Sequence, residues 1–142
     1  MTTNVDTTRA ATDVVGVWRL VEARARTADG QVRPVPYGPR GMGLVSLTAD
    51  GRMMAVLVDG RKEPPPGGKR EYSSYCGNYT FDGRTLVTVV DASSDATRFG
   101  VPQVRQVRFE GERMVLTPPD VESNGVKVRR ELTWERIGSM SL

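Results

Sequence analysis

The sequence has no histidine, and its 142 residues include one cysteine. Without histidine there is no Ser–His or Cys–His nucleophile pair, no imidazole base and no imidazole metal ligand. The lone Cys76 excludes an internal disulfide and suits a reducing compartment, so a cytoplasmic location is expected. A zinc site would need mostly oxygen ligands, and neither a metal nor another cofactor is expected. Long apolar runs are also absent. None approaches the ~18 residues of a membrane span, and residues 1–12 lack an apolar signal core. Lysine is scarce, since 17 of the 20 Lys+Arg residues are arginine. No basic block and no RNP-like aromatic motif is present, so neither nucleic acid nor a membrane is an expected partner. No segment carries a convincing helical period.

What remains is alternation broken by turns. Strand-like runs cover 14–28, 43–47, 52–58, 72–81, 84–91, 101–109, 112–117 and 126–136. Asp29-Gly30, Ala49-Asp50-Gly51, Asp82-Gly83, Glu110-Gly111 and Ser123-Asn124-Gly125 are turn signals. Eight strands joined mostly by short turns predict an all-β, eight-stranded antiparallel up-and-down barrel, because closure removes the exposed sheet edges. One barrel domain over 14–137 is expected, with a flexible arm over 1–13 and a tail over 138–142. Pro34, Pro36 and Pro39 predict an irregular loop across one mouth, and the Pro/Gly-rich 59–71 segment predicts a mobile flap.

The turns set the inward faces. The 49–51 turn pairs Leu47 with Met53, Val45 with Ala55 and Gly43 with Leu57, all facing in. The Asp82-Gly83 turn pairs Tyr79 with Leu86, Gly77 with Thr88 and Tyr75 with Val90, with Ala92 next inside. The Glu110-Gly111 turn pairs Val107 with Met114 and Arg105 with Leu116. On the first strand, alternation from Trp18 through Leu20 carries Glu22 inward. On the last strand Arg130 shares a face with Val128, Leu132 and Trp134. Gly16, Trp18 and Arg136 form an expected structural lock, the guanidinium lying over the indole where first and last strands meet. Val17, Val21 and Val56 face outward and are the candidates for a homodimer face.

Gly16-Val17-Trp18-Arg19-Leu20-Val21, Thr48-Ala49-Asp50-Gly51, Tyr75-Cys76-Gly77-Asn78-Tyr79, Asp82-Gly83 and Leu132-Thr133-Trp134-Glu135-Arg136 occur in an order that resembles the bacterial and fungal lipocalin-like domain family. The resemblance covers residues 14 to 137. It implies a lipocalin-like barrel with an internal cavity, and it implies little about chemistry. Relatives often carry histidine on and just beyond the inner side of the fifth strand, where this chain has Thr88 and Ala92. They also often carry a longer insertion before the fourth strand, so a more open cavity is expected here.

The inward polar groups are the candidate site. Tyr75, Tyr79, Arg105 and Glu22 are the candidates for catalysis. Ligand contacts are expected from these four and from Met53, Ala55, Leu57, Thr88, Val90, Val107, Met114 and Arg130. Glu22 is expected to neutralise one arginine and leave the other for a carboxylate, enolate or phenolate. The expected function is binding of a small, largely apolar organic molecule with a carbonyl or acidic end. The alternatives are a cofactor-free isomerase or cyclase acting on a polyketide- or polyene-like substrate, and a structural module with a filled barrel. Cys76 faces outward with no cationic neighbour in sequence, which argues against a nucleophile.

Overall fold

The computed structural model describes residues 10–139. Its strands are β1 Gly16–Thr27, β2 Gly41–Leu47, β3 Arg52–Asp59, β4 Tyr72–Phe81, β5 Thr85–Ser93, β6 Pro102–Glu110, β7 Arg113–Thr117, β8 Val121–Ser123 and β9 Val126–Gly138. Neighbours pair antiparallel from β1 to β7, β7 pairs with β9, and β9 returns to β1. Eight strands therefore close an up-and-down barrel, as the turn pattern predicts. The short β8 occupies the β9 edge that β7 leaves, because Val128 faces Thr27 on one side and Val121 on the other. Pro118-Pro119 separates β7 from β8, since neither proline can donate a ladder hydrogen bond.

The expected arm and tail fall mostly outside the described residues. Within the arm, Ala11–Val14 forms a 3₁₀ turn whose Val14 is fully buried. Among the described residues no helix is long and apolar enough to cross a membrane. The outward Val21 and Val56 are exposed, and Val17 is half-buried.

One end of the barrel is solid. Trp18 is fully buried, and its indole N–H donates to the Val14 carbonyl at 2.9 Å. Arg136, opposite Trp18 in register, holds its guanidinium 4.4 Å from the ring centroid. It also donates to the carbonyls of Val15 and, at 2.7 Å, Asp13. Gly16 stands at φ +143°, and a Cβ there would lie 2.8 Å from the Gly138 carbonyl oxygen. Only glycine lets β1 and β9 approach so closely. Phe109 tilts against Trp18 with ring centroids 6.4 Å apart, and Leu47, Leu86 and Met114 complete the plug.

The register of β2 with β3 matches the pairing expected from the 49–51 turn. In the other two hairpins the register slips by two: Tyr79 faces Thr88, and Val107 faces Leu116. A slip of two keeps every side chain on its expected face, because the strand period is two. Two bulges do change faces. Val21 is an extra residue between Leu20, opposite Trp134, and Glu22, opposite Thr133. Beyond it Ala23, Ala25 and Thr27 turn inward and Glu22 turns out, which corrects the expectation of an interior Glu22. The second bulge lies at Cys76/Gly77 and turns Ala92 outward, opposite Cys76.

Candidate functional site

The other half of the barrel is hollow, a cavity of about 400 Å³ within the size range of small-molecule sites. Its walls come from β2, β3, β4, β6, β7, β8 and β9. Met53, Ala55, Leu57, Tyr75, Arg105 and Arg130 all line it. These six of the expected contacts are brought together by alternation on strands whose turns were legible.

The remaining expected contacts lie elsewhere. Glu22 is on the outer surface, where its carboxylate accepts from Arg24 at 2.6 Å. Tyr79 points to the solid end, and its hydroxyl donates to the Thr48 carbonyl at 2.6 Å. Burial, then the nearby Asp50 charge, pushes the Tyr79 phenol up, so it is a fixed donor stapling β4 to the 48–51 turn. Thr88 and Val90 are buried but do not line the cavity. At the bulge, the Val89 carbonyl fills the space beside Gly77 where a side chain would go, so that glycine serves a bend and opens no ligand space. Val107 and Met114 pack in the plug, Met114 between Phe109 and Trp134 in register.

Without Glu22 the cavity arginines lack the expected counter-charge. Arg105 donates to the Val104 carbonyl at 2.8 Å and Arg130 to the Pro119 carbonyl at 3.2 Å. Among the described residues, no carboxylate forms an ion pair with Arg105, Arg130 or Arg98, the third arginine of the wall. The Nε of Arg130 is buried with no acceptor. Burial first, and the Arg105 charge second, hold the Arg130 guanidinium below its usual pKa. Two carboxylates, Glu71 and Asp120, also line the cavity, and Asp120 weakly favours the charged Arg130, but neither forms an ion pair with Arg105 or Arg130, so the two like charges favour an anion between them.

The mouth is built by loops. Tyr37, in the 28–40 loop, has φ +66°, a conformation costly for a bulky residue. Its amide donates to Glu71 at 2.8 Å, which ties this loop to the 60–71 segment. Burial raises the Tyr37 phenol, against the effect of a hydrogen bond with Ser73 and of the Arg98 charge. Arg98 donates to the Ser73 hydroxyl at 3.3 Å and lies 5.1 Å from the Tyr75 ring centroid. The 60–71 segment is stitched rather than loose. Arg70 donates to the carbonyls of Asp59 at 2.7 Å, Lys62 at 2.9 Å and Arg61. Asp59, buried and bound by Arg61 at 2.5 Å, is held at a pKa of about 2 chiefly by that guanidinium.

Lining residues outside the expected contacts include Tyr37, Arg98, Gln103 and Trp134, and the carboxylates Glu71 and Asp120. Gln103 and Trp134 share the inward parity of Arg105 and Arg130, so the alternation already carried them. Tyr37 and Arg98 sit in loops without a period. The Cys76 thiol donates to Asp91 at 3.5 Å, and burial followed by that carboxylate raises its pKa, the opposite of an activated nucleophile.

A family model described as a lipocalin-like domain matches residues 15–137. No curated protein matches the chain.

Proposed function

This chain belongs to the lipocalin-like domain family, and from that premise we propose that its barrel binds a small, largely apolar organic acid. The acid head, a carboxylate, enolate or phenolate, sits between Arg105 and Arg130, and its apolar body lies against Met53, Leu57, Leu116 and Leu132. The observation that carries this is the guanidinium pair itself, which shares one cavity with no carboxylate ion-paired to either among the described residues. Guanidinium suits such a head because it offers several fixed donors and stays charged.

The cofactor-free isomerase or cyclase alternative draws on the same pair, since a guanidinium that binds an enolate also stabilises one forming in a transition state. Shape and charge would then do the work, by folding a flexible substrate into a reactive conformer.

The test is calorimetric titration with dodecanoate, a plain fatty acid whose head and tail fit this description. Wild type should bind it, and Arg105→Met should lose one to two orders of magnitude, because a charge-assisted hydrogen bond contributes roughly 1.5–3 kcal/mol. Unchanged binding together with a large loss of stability would make Arg105 a structural residue.

A further inference from the structure

The cavity holds a second unmatched donor, and it is not charged. Trp134 is 2% exposed, forms part of the cavity wall, and buries its indole Nε1–H without an acceptor. The other tryptophan shows what a purely structural indole does in this barrel, since Trp18 gives its N–H to a backbone carbonyl. Buried indole N–H groups usually find a partner. Trp134 is also held in place: Gly43 leaves room for its ring, where a Cβ would stand 3.2 Å from it. The ring is therefore seated by the fold while its polar atom is not satisfied by it.

The spacing of the two donor points is fixed by β9. Trp134 lies four residues beyond Arg130 towards the solid end, on the same inward face, a separation of about 13 Å along the strand at the usual rise per residue. Between them stands Leu132, which faces Leu116 across the β7–β9 pair. The order down the barrel is thus cation, apolar wall, neutral donor.

Granted the acid-binding role proposed above, we infer that the molecule this barrel selects carries a second oxygen, uncharged and accepting, set within its apolar body so as to meet Trp134 Nε1 while its acid head meets Arg105 and Arg130. An indole donates only, so the partner is an acceptor: a ketone, ester, lactone, ether or hydroxyl oxygen. The substrate class is an oxo-acid or a similarly oxygenated acid of medium length. A plain fatty acid would satisfy the head and leave the indole unmatched.

The test titrates wild type, Trp134→Phe and Arg105→Met/Arg130→Met with dodecanoate and its 6-oxo, 8-oxo and 10-oxo analogues. At least one oxo-acid should bind wild type about tenfold tighter than dodecanoate, as expected for matching one buried donor. Trp134→Phe, which keeps a ring and removes the N–H, should erase that advantage, so that it binds no oxo-acid tighter than dodecanoate. Equal binding of all four acids by wild type, or an advantage that survives in Trp134→Phe, overturns the inference while leaving acid binding intact. The wild-type comparison decides by itself if Trp134→Phe does not fold. No binding of any of the acids by wild type, or equal binding by the double arginine variant, removes the acid-binding role and the inference with it.

Discussion

The plug and the cavity of this barrel each have a tryptophan and an arginine, and the two pairs are finished differently. At the solid end Trp18 donates to Val14, and Arg136 stacks on the ring and donates to Val15 and Asp13. In the cavity wall Trp134 Nε1 and Arg130 Nε are both buried without acceptors. The same residue types, with both arginines on β9, close the fold in one place and leave donors unmatched in the wall of a cavity in the other. Arg33 Nε is a third such donor and lies outside the cavity, so what sets Trp134 and Arg130 apart is that both belong to the wall of one cavity.

The largest effect that separates the two ends is on stability. Trp18→Ala should cost about 3–5 kcal/mol, as for other buried aromatics, whereas Trp134→Phe should change a denaturant midpoint little. A loss below ~1 kcal/mol for Trp18→Ala would mean that the plug does not hold the barrel. The arginines sharpen this further. Arg136→Met should destabilise by about 1–3 kcal/mol through its lost carbonyl bonds and ring contact. Arg130→Met should leave stability level or raise it, because a partly buried charge without an ion pair has gone. Opposite outcomes for one substitution on one strand are what the comparison requires; equal losses would erase it.

Acid should separate the ends next. The hollow end's rim leans on Asp59, the solid end on carbonyls and rings. Asp59's folded pKa lies below its unfolded value, so its stabilisation is complete above the usual carboxylate range and is lost as pH falls through about 2. An acid-unfolding titration should show this component between about pH 4 and 2 in wild type and lack it in Asp59→Asn. The smallest expected effect is local. Arg70→Gln releases three carbonyls in the 60–71 segment, so trypsin should cut after Lys62 and Lys69 faster than in wild type, with the barrel intact. Equal cutting rates would mean that those bonds do not restrain the segment.

The barrel was legible because turn residues and a period of two are written along the chain, and register errors of two residues do not change faces. That is why Arg105, Arg130 and Tyr75 were expected in the interior and line the cavity. Glu22 was misplaced by one residue, Val21, inserted into β1 where no glycine or proline announces a bulge. Its misplacement supplied an ion pair that the cavity arginines do not make. Tyr79 had the right parity but the wrong depth, since alternation says which face a residue takes and not which end of the barrel it reaches. Tyr37 and Arg98 come from loops that have no period, and only their tertiary contacts bring them to the mouth.

Arg105 and Arg130 share a cavity in which neither wall carboxylate, Glu71 or Asp120, forms an ion pair with them, and the proposal is that a ligand anion does. The measurement that meets it most directly is thermal unfolding of wild type and Arg105→Met/Arg130→Met, each with and without dodecanoate. The account predicts a double variant at least as stable as wild type without the acid and unmoved by it, against a wild type whose Tm the acid raises. A double variant that is markedly less stable, yet gains as much from the acid as wild type does, would contradict it.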